Sequence, residues 1–274
     1  MKMKSLIFGI LCIGLFAFAP ASTTVTIKGS DTMVILAQRW TEVFPVKNIQ
    51  FQVTGGGSGT GIAALINGTT DICTSSRPIK PAEVDQLKTK YKSQGLEIKV
   101  ARDGLSVYVN KSNPVKKLTL EQVRLIYTGK TKNWKEVGGP DKKILLYSRE
   151  NNSGTYEFFK EHVLLKQDFD PSAQNMPGTA AVVNAIAKDK YGIGFGGAAY
   201  AKDIKEVALA EKEGSDYVMP TEENILSGKY PVSRFLYFYL RERPAGDVKK
   251  FVDWVLGKEG QKVIKEVGYF PLKK

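Results

Sequence analysis

Histidine occurs once in the 274 residues and cysteine twice. A serine hydrolase triad would have to use His162, which falls well inside a helical stretch and reads as a surface or packing residue. Ligands for a metal cluster are lacking, and no cofactor is expected. Of the two cysteines, Cys12 lies in an N-terminal apolar run, so Cys73 would stand alone in the mature chain and no internal disulfide could form. Cys73 follows Asp71-Ile72 in an apolar strand and reads as a small buried hydrophobe. Acidic residues number 28 against 40 Lys and Arg, a formal net charge of +12. The lysines are scattered along amphipathic segments, without an arginine-rich cluster or interleaved aromatics. The balance therefore describes a solvated basic surface rather than a nucleic-acid site, and its field favours encounter with small anions. Beyond the N-terminal run, no stretch is apolar enough to cross a bilayer, and no fixed-period repeat or low-complexity tract occurs.

The first residues read as an export signal. Lys2 and Lys4 precede an uncharged run from Ser5 to Phe18, and Ala19-Pro20-Ala21 is an A-x-A cleavage site. Residues 1–21 are thus expected to be removed, leaving a periplasmic protein that begins at Ser22. Its length suits two domains.

The rest of the chain is organised around Thr54-Gly55-Gly56-Gly57-Ser58-Gly59-Thr60-Gly61. A strand (49–53) precedes this stretch and a helix (62–66) follows. Glycines turn bare amides toward a ligand, and the helix start adds partial positive charge, which together make an anion seat. Gly29-Ser30-Asp31-Thr32 and Ser148-Arg149-Glu150-Asn151-Asn152-Ser153-Gly154-Thr155 repeat the same sequence of strand, small hydroxyl and helix. Neither better-known glycine motif fits the first seat. A Walker A loop needs a lysine where Ile62 stands, and a dinucleotide fingerprint needs an acidic residue about 20 positions on.

Strands and helices alternate to the C-terminus, which predicts an α/β fold with mostly parallel sheets. Two strands, near 105–109 and 235–240, are placed to pass between two lobes. The expected division is lobe I from 22–104 and 235–274, lobe II from 105–234, and a ligand cleft between them. A break in strand structure is predicted at Arg102-Asp103-Gly104.

Three hydroxyl-bearing seats supply donors from Ser30, Thr32, Ser58, Thr60, Ser153 and Thr155, enough for a tetrahedral oxyanion. Arg77 and Arg149 could each fork onto two oxygens. Phosphate, unlike sulfate, carries a proton at neutral pH, so a buried carboxylate would favour it by accepting that proton. Asp103 is the first candidate for this role and Asp31 the second. Sulfate, molybdate or tungstate remain rival ligands at this point. A phosphate-ester hydrolase is the alternative enzymatic reading, and it would need a nucleophile with an aligned base, or metals.

In order, Gly29-Ser30-Asp31-Thr32, Gly55 to Gly61, Ser75-Ser76-Arg77-Pro78, Ala101-Arg102-Asp103-Gly104, Ser148-Arg149 with Ser153-Gly154-Thr155, and Gly268-Tyr269-Phe270-Pro271-Leu272 resemble the periplasmic phosphate-binding proteins, the solute receptors of ABC-type phosphate importers. The likeness covers essentially the whole mature chain. It implies a type II periplasmic-binding-protein fold of two lobes, non-enzymatic and expected as a monomer. It also implies inorganic phosphate as ligand, and a membrane permease with its ATPase as partners. Thr32, the Met33 amide, Ser58, Arg149, Ser153, Gly154 and Thr155 fall where that family contacts the anion. Some members carry an aspartate where this chain has Arg77, which is why Asp103 is the expected proton acceptor.

Overall fold

In the computed structural model, which describes residues 23–272, one long strand ties the molecule together. It runs from Leu96 to Val109 and does not break at Arg102-Asp103-Gly104, contrary to expectation. The strand survives there because pairing passes from one neighbour to the other at the glycine, the strand Ser233–Leu240 flanking it up to Gly104 and the strand Gly192–Gly197 from Leu105 on. Gly104 pairs with Ser233, and the next residue, Leu105, pairs with Gly197. The expected export signal lies outside the described residues.

In chain order the strands and helices are β1 (Thr23–Gly29), α1 (Val34–Val43), β2 (Ile49–Thr54), α2 (Ser58–Asn67), β3 (Ile72–Ser75), α3 (Pro81–Tyr91), β4 (Leu96–Val109), β5 (Lys117–Thr119), α4 (Leu120–Tyr127), β6 (Leu145–Arg149), α5 (Gly154–His162), β7 (Gln174–Met176), α6 (Thr179–Lys188), β8 (Gly192–Gly197), β9 (Lys205–Glu206), β10 (Ala208–Ala210), α7 (Glu222–Leu226), β11 (Ser233–Leu240), α8 (Gly246–Leu256) and α9 (Lys258–Val267). The main sheet has the order β2-β1-β3-β11-β4-β8-β6-β7, with β9 also on β4. Its flanks are parallel: β2 and β3 on β1, and β7 and β8 on β6. Its centre is antiparallel, because β11 returns alongside β4.

Two large apolar cores lie on either side of that centre. One gathers Leu105 to Val232, with Phe159 stacked on Phe195 at 3.9 Å between ring centroids. The other gathers Val25 to Ala101 and Leu236 to Tyr269, with Ala199. There Trp40 of α1 is fully buried and donates its indole N–H to the Gly260 carbonyl of α9 at 2.9 Å, closing the C-terminal helices over the first ones. Helix starts follow the local chemistry. Thr119 caps α4 by accepting from the Gln122 amide at 3.1 Å, and Gln122 returns a bond to the Thr119 amide at 2.9 Å. Cys73 is fully buried and burial pushes its thiol up, as suits a packing residue. His162 stacks on Phe158 at 4.0 Å and is held by the Phe158 carbonyl, one turn back on α5. Among the described residues, no helix is long and apolar enough to cross a membrane.

Candidate functional site

The C-terminal ends of β1, β2 and β3 belong to one core, and the end of β6 belongs to the other. In α/β sheets such ends are where ligands are held. The chain leaves β1 at Gly29, whose amide neighbour Ser30 donates to the Thr74 carbonyl at 2.9 Å, and turns through Asp31–Met33 into α1. This turn buries Ser30, Thr32 and Met33. The Met33 amide is committed to the turn itself, donating to the Ser30 carbonyl at 2.9 Å. The Asp31 carboxylate, at the start of this turn, bridges two other elements. Oδ1 accepts from the Gly56 amide at 2.8 Å and Oδ2 from Arg149 at 2.7 Å.

The glycine-rich seat opens α2 at Ser58, which is fully buried. Its Oγ accepts from the Ser76 amide at 3.1 Å and lies 3.3 Å from the Ser76 hydroxyl. On the other side, Ser153 caps α5 by accepting from the amides of Thr155 and Tyr156 at 3.2 and 3.3 Å. Its hydroxyl proton is left to donate. A Cβ on Gly154 would stand 2.3 Å from Ser58 Oγ and 2.8 Å from Ser76 Oγ, so the two seats touch at this glycine. Gly154→Ala is therefore expected to hold the seats apart and weaken anion binding at least tenfold by calorimetry. Unchanged affinity would show that the close approach is not needed.

Hydroxyls also meet across the halves: Thr32 Oγ1 lies 2.9 Å from Thr155 Oγ1. Arg149, at the end of β6, is almost wholly buried and donates to Thr179 Oγ1 at 2.8 Å as well as to Asp31. Burial depresses the Arg149 pKa, and Asp31 works against that shift. Its Nε is buried without a hydrogen-bond partner.

Asp103 is fully buried on β4, where antiparallel register sets it opposite Arg234 of β11. Arg234 donates to Asp103 Oδ2 through Nε at 3.0 Å and Nη2 at 2.8 Å, and Nη2 reaches Thr155 Oγ1 at 3.0 Å. Burial pushes the Asp103 carboxyl up, and Arg234 pulls it back. The Ala198 amide also lowers it, without reaching hydrogen-bonding geometry. Asp103 Oδ1 and Arg234 Nη1 are buried and unpartnered. The cluster thus retains unpaired guanidinium N–H groups and one unpaired carboxylate oxygen, a set that complements an oxyanion carrying a proton.

One expected residue is engaged elsewhere. Arg77 forks onto Glu83, with Nη1 and Nη2 at 2.8 and 2.7 Å from its two oxygens. Its Nε lies 2.9 Å from Glu157 Oε2, a carboxylate of α5 that also takes Lys80 at 2.7 Å. Arg77 thus lies in an ion-pair cluster with two acids, although its buried Nε, close to Glu157, meets no acceptor in hydrogen-bonding geometry. Burial disfavours the charge on both Arg77 and Glu83. Their mutual bond outweighs it, raising the Arg77 pKa and lowering that of Glu83.

A lowered Glu83 pKa means the unfolded chain, titrating near about 4.3, binds more protons than the native protein below that pH, so stability falls there as pH falls. The melting-temperature gap between wild type and Glu83→Gln should therefore shrink as pH is taken from about 6 to about 3. A gap that does not change would contradict the pairing.

Comparison with known proteins shows the family. A model of the PBP superfamily domain matches residues 17–259. The chain is 37% identical over 263 residues to the phosphate-binding protein PstS of Pseudomonas aeruginosa, covering 89% of this chain and 81% of that one. It belongs to the phosphate-binding proteins of the PBP superfamily. Another phosphate-binding protein of this kind, PstS from Staphylococcus epidermidis, is 36% identical over 257 residues, 88% of this chain and 77% of that one. Among solved structures, a phosphate ABC transporter substrate-binding protein from Clostridium perfringens, with bound phosphate, superposes with a TM-score of 0.83 at 30% identity. It covers 92% of this chain and all of that one.

Proposed function

We propose that this phosphate-binding protein is an exported, monomeric receptor that closes two lobes on inorganic phosphate and delivers it to the permease and ATPase of an ABC importer. One observation carries the reading. Arg149, from the second core, is 1% exposed at its side chain and bonds Asp31 of the first, while Thr32 and Thr155 touch hydroxyl to hydroxyl beside Arg234. Hydroxyl-bearing helix starts from both cores thus converge on one buried point with two guanidiniums, and neutral donors there take over from water around the ion.

In this reading the lobes are 22–104 with 235–274, and 105–234, hinged where β4 and β11 pass side by side. The anion is held by Thr32, Ser58, Arg149, Ser153, Gly154 and Thr155, with Ser30 and Met33 shaping the β1 turn. Arg234 joins the set, and Asp103 accepts the proton that phosphate carries. Contact with both lobes makes the ligand favour the closed form, which the permease then reads. Residues 1–21 direct export. The relatives are transport proteins, and the site's chemistry is capture rather than turnover.

The test is calorimetry of residues 22–274 with phosphate, sulfate and molybdate in turn. A single phosphate site with much weaker binding of the other two supports the reading. Equal heats for phosphate and sulfate, or none for phosphate, overturn it.

A further inference from the structure

The residue that fastens the two halves most directly is Asn152, which the ligand set above does not include. It is exposed, in the loop between β6 and α5, and it meets the glycine-rich seat edge to edge. Its side-chain amide donates to the Gly56 carbonyl at 2.9 Å and to Thr60 Oγ1 at 3.0 Å. Its own carbonyl accepts from the Gly59 amide at 2.9 Å. Gly57 makes the fit possible: its φ is +92°, and a Cβ there would stand 2.6 Å from the Asn152 carbonyl oxygen. Three hydrogen bonds made by one residue therefore join the loop before α5 to the glycine-rich loop and first turn of α2.

We infer that Asn152 is a positioning residue: a latch that stabilises the closed form, setting how long an anion stays without choosing which anion enters. The inference rests on the reading of the cluster as an anion receptor closed between two lobes. Two features separate a latch from a ligand. Its bonds go to backbone and hydroxyl groups of the opposite seat, so they contribute equally whatever is enclosed. They also form only when the halves meet, so their loss raises the rate of opening rather than lowering the rate of encounter.

The test reads the latch with and without an anion. Asn152→Ala removes both side-chain bonds and leaves the carbonyl in place. Amide exchange at Gly59 should then speed up about tenfold, the loss expected for one to two net hydrogen bonds, while exchange at the β1 core amides stays at the wild-type rate. Phosphate affinity should fall by a similar factor. Affinity for arsenate, a tetrahedral anion that also carries a proton, should fall with it, leaving their ratio unchanged. Thr60→Val, which keeps shape but removes one acceptor, should give a smaller loss that adds little to that of Asn152→Ala.

Unchanged Gly59 exchange in Asn152→Ala overturns the latch, whether or not any anion binds. So does a change in the phosphate-to-arsenate ratio, which would make Asn152 a ligand. If wild type takes up no phosphate, the receptor reading fails, and Gly59 exchange still decides the latch.

Discussion

Arg149→Ala is expected to weaken phosphate binding at least about thirtyfold, since truncating one member of a buried, hydrogen-bonded charge pair costs roughly 2–5 kcal/mol. The size of the effect follows from what the guanidinium joins. Nη2 bonds Asp31 at 2.7 Å and Nη1 bonds Thr179 at 2.8 Å, so Arg149 links β1 and β6 to the start of α6. Its buried Nε has no protein partner and is the proposed donor to the anion. Removing the side chain deletes a positive charge, leaves Asp31 with the Gly56 amide alone, and frees Thr179. Arg149→Lys should recover little, because a point charge cannot reach Asp31, Thr179 and an oxyanion at once. Calorimetry at fixed pH measures both variants. A loss below about 1 kcal/mol, the net worth of a single ordinary hydrogen bond, would remove Arg149 from the site.

Asp103→Asn is expected to act on selectivity and stability together. The carboxylate has one oxygen held by Arg234 and one, Oδ1, buried without a partner. That oxygen is the proposed acceptor for the proton of phosphate. An amide in its place can present an N–H, which hydrogen phosphate does not need and sulfate can accept. The preference for phosphate over sulfate should therefore fall by about tenfold or more, the equivalent of about 1.4 kcal/mol. Arg234 also loses its counter-charge at a side chain only 2% exposed, and breaking a buried pair in this way typically costs about 3–5 kcal/mol of folding stability. Denaturant unfolding and anion competition separate the two consequences. A variant that is destabilised but keeps its full preference for phosphate would leave Asp103 as a structural partner of Arg234 and nothing more.

Arg234 shows where reading a linear chain stops. The sequence marks an apolar strand from Phe235 and an outgoing strand at 105–109, and it identifies both as crossings between halves. Arg234 sits one residue outside the apolar run, which makes it resemble the edge of a loop. Only antiparallel pairing of the two crossings, with Arg234 opposite Asp103, turns it into a buried partner of Thr155. Arg77 presents the opposite case. It follows a serine pair at a strand end, where an anion ligand would be plausible, but Glu83 lies six residues on and Glu157 comes from the far half. Six-residue spacing across Pro78 and Pro81 hides the first pairing, and tertiary approach alone creates the second.

What is legible is what backbone chemistry dictates locally. The glycine-rich stretch, the Ser153 cap and the hydroxyls at Thr32, Ser58 and Thr155 can be read because each sits where a strand gives way to a helix, and all are buried. The cap is a clear case, since Ser153 does what a serine before a helix does in any fold. Asp31 shows the limit of that logic. A carboxylate at the same kind of position leaves the turn to bridge Gly56 and Arg149, because a buried guanidinium attracts it more strongly than nearby amides do. The continuity of β4 through Gly104 belongs to the same class as Arg234, for its cause is partner strands that are distant in sequence.

The most direct measurement is a crystal structure of residues 22–274 grown with phosphate. The anion should lie within hydrogen-bonding distance of Thr32, Ser58, Arg149 and the Ser153–Thr155 helix start, with Asp103 Oδ1 facing a phosphate oxygen. Phosphate bound away from these groups, or Arg149 turned out into solvent with the anion in place, would contradict the account.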